Sequence, residues 1–239
     1  MLAAAFVSFK LLDSLVPRLV SLAAGLLLGV AFLHLLPEAF ESNAGAHALS
    51  ATLLAGVLVF FLLEKASLWR HSHHHEHDGH HHEHGFDAHE AGRSGLLILV
   101  GDGIHNFADG ILIAAAFMTD VKLGIITTIG IAAHEIPQEI GDFMILLNAG
   151  FSRSRALVYN AISSLTAVLG GVLGYFLLDA LSGWMPFVLM LAAASFLYIA
   201  IADLMPEMQR ARDTKSNLWQ ISMVGLGIGI VAISNSLAH

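Results

Sequence analysis

The sequence predicts an all-α, polytopic membrane protein of about eight transmembrane helices with inverted-repeat character. Three observations predict it. Hydrophobic residues make up 56% of the chain and charged residues 13%, against roughly 25% charged in soluble domains, and the mean hydropathy is +0.72. Apolar runs then recur at about the 20 residues a helix needs to cross a bilayer, too long and continuous for the strands of a membrane barrel. Finally, one short motif closes two of these runs. Helices are the element lipid demands, because each segment must satisfy its own backbone groups. The 239 residues are consumed by such runs and leave a single membrane domain, 1–239, with the bilayer as its obligatory partner.

In chain order, residues 2–16 are apolar but short and are interrupted by Lys10 and Asp13, so they read as a clipped first span without the cleavage site of a secretory signal. Residues 19–36 form the second span and end at His34-Leu35-Leu36-Pro37-Glu38; residues 48–68 form the third. The segment 70–93 is a loop by composition, with ten of the fifteen histidines between His71 and His89 among Asp, Glu and Gly. Such a tract holds metal loosely or is simply solvated. Residues 94–118 and 121–149 are spans four and five, joined through Thr119-Asp120, and 155–178 follow with Gly170, Gly171 and Gly174, small residues that allow close helix approach in lipid. Residues 184–205 and 218–237 complete the set, the former ending at Asp203-Leu204-Met205-Pro206-Glu207. The recurrence of a polar residue three positions before Pro-Glu suggests two related units of opposite orientation, the pattern of transporters that handle substrate near mid-membrane.

Sidedness follows from the positive charges. Ten of the eleven (Lys10, Arg18, Lys65, Arg70, Arg93, Arg153, Arg155, Arg210, Arg212 and Lys215) fall on one side of an eight-span topology, and Lys122 alone on the other. The basic side is cytoplasmic, which places the His-rich loop in the cytoplasm and both termini outside, in a plasma membrane or a bacterial inner membrane. The net charge of −8 offers no face for nucleic acid, and the lack of cysteine removes disulfides and thiolate ligands alike.

Two polar stretches interrupt spans four and five. Asp102, His105, Asn106 and Asp109 recur at helical spacing on one face, and His134, Gln138 and Asp142 line another, with Glu135 and Glu139 beside them. A charged side chain costs about 2.5 kcal/mol or more at the bilayer centre, so this density is functional by expectation. Pairing between helices would use two or three polar residues, whereas these helices offer at least seven. A short connection would make spans four and five antiparallel and bring His105, Asn106 and Asp109 level with His134, Glu135 and Gln138. Imidazole, carboxylate and amide suit a divalent first-row ion, zinc foremost, without the thiolates of a locked structural site. Pro137 withdraws a donor from the Ala133 carbonyl, which is tolerated where a neighbour or a water-filled cavity can satisfy it.

The pattern His105-Asn106-x-x-Asp109-Gly110 followed by His134-Glu135-x-Pro137-x-Glu139-x-Gly141-Asp142 resembles the fourth- and fifth-helix signatures of the ZIP (Zrt-, Irt-like) metal transporters, in particular the branch whose fifth helix reads His-Glu-x-Pro-His-Glu-x-Gly-Asp. The resemblance implies movement of Zn(II), and in some members Fe(II), Mn(II) or Cd(II), into the cytoplasm through a binuclear centre. By position it implies that His105, Asn106, Asp109, His134, Glu135 and Gln138 face the metal with Glu139 adjacent. Asp102 and Asp142, by their own placement toward the cytoplasmic ends of their helices, are expected to pass an ion onward. A homodimer is compatible with it. Gln138 departs from the branch's histidine, and Asp109 stands where many members have the longer glutamate. Competing readings are a metal exporter, a metal sensor and an intramembrane zinc metalloenzyme. The last would need His-Glu-x-x-His, and position 138 is Gln.

Sidedness is directly testable because the chain lacks cysteine. In sealed cells a single cysteine at Lys122→Cys is expected to react with an impermeant maleimide added outside, and one at Arg153→Cys to react only after permeabilisation; the reverse pattern would invert the topology.

Overall fold

The computed structural model describes residues 9–72, 88–180, 182–209 and 214–236, and those residues are helical throughout apart from short connections. The helices are α1 (Phe9–Val30), α2 (Leu36–Glu41), α3 (Ala46–Ser72), α4 (Ala88–Thr119), α5 (Val121–Asn148), α6 (Arg153–Asp179), α7 (Met185–Tyr198), α8 (Met205–Gln209) and α9 (Thr214–Ser236). Wider π-helical turns, Ala31–Leu35 and Ile199–Leu204, join α1 to α2 and α7 to α8 without a break. Among the described residues, four stretches are long and apolar enough to cross a membrane, Val16–Glu41, Arg153–Leu178, Met185–Gln209 and Ser216–Ser234. Helices α4 and α5 have the length, 32 and 28 residues, but carry the polar stripes that lower their hydropathy.

Two sequence expectations change at helix ends. The first and second spans were expected to part near Pro17, yet α1 runs through it. Proline forfeits one backbone hydrogen bond, and a membrane helix tolerates that where a neighbouring helix, a hydroxyl or water answers the freed carbonyl. Residues 1–8, half of the expected first span, lie outside the described residues. The His-rich loop narrows as well, because α3 extends to Ser72 and α4 begins at Ala88; most of its histidines lie outside the described residues.

The repeated Pro-Glu motif has a backbone counterpart. The Leu36 amide donates to the carbonyl of Ala31, and that of Met205 to Ala200, each spanning five residues where an α-helix spans four. In both cases the next residue is proline, which has no amide to give, so the wide turn sits where the regular ladder would be interrupted anyway.

The connections around the polar stripes are built to be short. Asp120 alone separates α4 from α5, and its Oδ1 accepts from the amides of Lys122 and Leu123 at 2.8 and 3.0 Å, an N-cap that starts α5 immediately. At the other end, Gly150 at φ 85° lets the amides of Gly150 and Phe151 return to the carbonyls of Leu147 and Leu146, both at 3.0 Å, closing α5 in a Schellman turn. Ser152 then caps α6 by accepting from the Arg155 amide.

Side chains are distributed as lipid requires. The core where α1, the first π turn and α7 meet mixes Leu27, Leu35, Met190 and Phe196 with Ala23, Ala24, Ala192 and Ala193, while Leu54, Leu58, Ile162, Leu165 and Phe176 are exposed on outward faces. Small residues set the spacing. A Cβ on Gly110 would lie 1.9 Å from the Ala167 carbonyl oxygen and one on Gly170 2.0 Å from that of Phe107, so α4 and α6 touch backbone to backbone. We expect Gly110→Ala to lower unfolding stability in detergent by about 1–3 kcal/mol, whereas Gly229→Ala, with open space around it, leaves the protein at least as stable as the parent; equal melting of both variants would contradict this packing.

Candidate metal centre

The α4–α5 hairpin brings together four of the seven expected His, Asp and Glu residues. His105 and Asp109 lie one turn apart on α4, His134 and Glu135 are adjacent on α5, and one ligand atom from each falls within 4.8 Å of all the others. His134 Nε2 is 3.4 Å from Asp109 Oδ2 and 3.3 Å from Glu135 Oε1. His105 Nε2 is 3.4 Å from Glu135 Oε1, 3.9 Å from Asp109 Oδ2 and 3.4 Å from His134 Nε2. Donor atoms about 2.0–2.1 Å from a tetrahedral zinc lie about 3.3–3.4 Å from one another, and most of the measured edges have that length.

Burial sharpens the point. Asp109 and His134 are each 1% exposed and Glu135 8%. All four carboxylate oxygens of Asp109 and Glu135 lack a hydrogen-bond donor, although such groups are normally satisfied when buried. The His134 ring is aimed by its own helix: Nδ1 lies 3.4 Å from the Gly130 carbonyl, which turns Nε2 toward the cage. His105, half-buried, meets His134 edge to face at a centroid distance of 5.6 Å.

The remaining expected residues form a second layer. Asn106 and Gln138 both donate to Asp102 Oδ1, at 3.1 and 3.3 Å, and Asn106 also reaches the Asp102 carbonyl at 3.2 Å. Their amide nitrogens are therefore turned to a carboxylate. Glu139 accepts from the Ser164 hydroxyl of α6, and its main-chain carbonyl accepts from Asn160 Nδ2 at 2.8 Å. Asp142 is buried at 9% exposure outside the group of four. His34, on the first π turn, has a buried Nε2 without a hydrogen-bond partner, and Asp203 lies on the second, exposed; neither joins the cage.

Helix α6 is the contributor that sequence reasoning missed. Besides Asn160 and Ser164, its Ser163 donates to the Leu99 carbonyl at 3.2 Å and its Thr166 to the Gly103 carbonyl at 2.6 Å, so α6 fixes both site helices. The signal was present, since Asn160, Ser163, Ser164 and Thr166 recur at helical spacing inside an apolar span.

Comparison with known proteins completes the description. A family model described as "ZIP Zinc transporter" matches residues 68–235. The chain is 34% identical over 237 residues to zinc transporter ZIP13 of Pongo abelii, covering 90% of this chain and 66% of that protein. It is 38% identical over 151 residues to human zinc transporter ZIP10, covering 60% of this chain and 18% of that protein. It is 41% identical over 121 residues to zinc transporter ZIP4 of Mus musculus, covering 50% and 18%. The chain thus spans just under two thirds of the first of these relatives and about a fifth of the others.

The geometry makes a spectroscopic prediction. Co(II) added to the purified protein is expected to give the intense visible bands of a tetrahedral nitrogen–oxygen site, lost in His134→Ala and retained in Gln138→Ala; loss in the glutamine variant as well would place Gln138 among the ligands.

Proposed function

The chain belongs to the ZIP zinc transporter family, and from that premise we propose that it carries divalent metal ions, Zn(II) foremost, across the membrane into the cytoplasm through the cage between α4 and α5. The observation that carries this reading is the near-tetrahedral spacing of His105, Asp109, His134 and Glu135, with edges mostly of 3.3–3.4 Å around carboxylate oxygens that have no other partner. The names of the relatives, zinc transporters all, support zinc as the cargo.

The four clustered ligand atoms suit one ion. Asn106 and Gln138 turn their amide nitrogens to Asp102 and Glu139 accepts from Ser164, so a second ion would have to use the amide oxygens and the other Glu139 oxygen. Two imidazoles and two carboxylates bind Zn(II) without thiolates, and proton competition for these ligands opens the site when metal must leave. Asp102, whose Oδ2 is buried without a hydrogen-bond partner, and Asp142 lie toward the side rich in Lys and Arg and offer the departing ion its next oxygens. Inward flow fits that charge bias, with the His-rich segment receiving ions in the cytoplasm. The export reading has no feature of its own to support it. The metalloenzyme reading lacks its second imidazole, since Gln138 donates to Asp102 instead.

Uptake of zinc into proteoliposomes tests the proposal. The intact chain should accumulate Zn(II), and the double variant His105→Ala with His134→Ala, monodisperse and thermally intact, should fall to the flux of empty vesicles. Background flux in both, under conditions where the intact protein still binds zinc, would overturn transport by this chain.

A further inference from the structure

On the side of α4 away from the cage, α4 and α6 leave an open groove of about 700 Å³, walled by Val100, Ile104 and Phe107 on one side and Tyr159, Ile162 and Leu169 on the other. Its floor carries Ser163 and Thr166, but their hydroxyls are already donated to the Leu99 and Gly103 carbonyls, so the surface it offers is apolar. Gly103 keeps the floor low, because a Cβ there would meet Ser163 Oγ at 3.5 Å. The rim faces outward among lipid-exposed side chains: Ile104 is 64% exposed, Ile162 56% and Leu169 54%.

The groove has a polar end. From Tyr159 to Leu169 the α6 wall rises about 15 Å at 1.5 Å per residue, half of the roughly 30 Å hydrocarbon core and hence one leaflet. Arg155 lies one helical turn before Tyr159 and on the same face, with Arg153 beside it at the start of α6. Both arginines are exposed, and none of the described carboxylates forms an ion pair with them. Helix α6 also begins here, so its amide dipoles add positive potential at the mouth. Tyrosine and arginine at the foot of an apolar channel one leaflet long match a lipid with a negative headgroup.

We propose that this groove is a binding site for an anionic phospholipid, with one acyl chain lying between α4 and α6 and the phosphate held by Arg155. The occupant would brace the back of the helix that supplies His105 and Asp109, which ties membrane composition to the stability of the α4–α6 pair. This inference stands on the groove and its charge, independently of what the cage carries.

The test is native mass spectrometry of the full chain released from bilayers of equal phosphatidylglycerol and phosphatidylcholine. Phosphatidylglycerol should be retained over phosphatidylcholine by about fivefold, the worth of one arginine near an anionic headgroup. Arg155→Gln should bring that ratio close to one, and Ile162→Trp, which fills the channel, should reduce retention of both lipids; Ile104→Phe serves the same purpose if the tryptophan variant fails to fold. Retention without headgroup preference in the intact chain would overturn the proposal. So would a preference that survives both Arg155→Gln and the filled groove, or a lipid-free dimer that becomes monomeric when the groove is filled, since a second copy would then be the occupant.

Discussion

Asp109 and Glu135 place four carboxylate oxygens, none with a hydrogen-bond donor, inside a helix bundle whose surface is apolar. An uncompensated buried carboxylate costs several kcal/mol after relaxation, and two close together repel. Nearby imidazole nitrogens are the only described groups that approach these oxygens in the cage. A divalent cation at the centre would answer both carboxylates at once and use the imidazole lone pairs as well. The rest of the architecture serves to keep this unfavourable cluster from collapsing or from being relieved by stray donors.

Three devices do so. Asp120, a one-residue turn that is also an N-cap, forces α4 and α5 into antiparallel register so that His105 meets His134. The reciprocal glycine contacts, Gly110 on Ala167 and Gly170 on Phe107, press α4 against α6 closely enough for Thr166 and Ser163 to reach main-chain carbonyls on α4. The amide nitrogens of Asn106 and Gln138 converge on Asp102, one turn below the cage, and leave the Asp109 and Glu135 oxygens without a donor. A donor to Asp109 or Glu135 would lower the cost of burying these carboxylates and with it any pull of the cage on a cation.

The sequence made the membrane class and the α4–α5 pairing legible, because each rests on local quantities: run length and a short connection. Asp102, His105 and Asp109 lie on one helical face as spacing requires, yet only His105 and Asp109 enter the cage, while Asp102 accepts from Asn106. Which ones do so depends on how α4 is rotated against α5 and α6, and that is set by glycine contacts more than 50 residues apart in the chain. Glu139 illustrates the same limit, since its diversion to Ser164 of α6 is a tertiary fact that no pattern within α5 contains. Between the first two expected spans the local reading failed in the opposite direction: the gap left between residues 16 and 19 is absorbed within α1, which runs through Pro17. The Pro-Glu repeat was legible as a motif, but the five-residue hydrogen bonds that precede both prolines belong to the backbone and appear only in the fold.

The position of Gln138 bears on how such a site could release what it holds. A histidine there would bring a strong, proton-sensitive ligand next to Asp102, whereas an amide neither titrates near neutral pH nor competes well for Zn(II). In this chain the amide instead pins one oxygen of Asp102 while the other, Oδ2, stays buried and without a hydrogen-bond partner. The cage and this single oxygen then form a short gradient of ligand strength, from two imidazoles with two carboxylates to one carboxylate already sharing its charge with two amides. An ion moving down that gradient loses affinity at each exchange and meets no second deep trap. A weak ligand beside a strong site therefore favours passage over storage, and the substitution that departs most from the family's pattern is consistent with a carrier that retains its cargo only briefly.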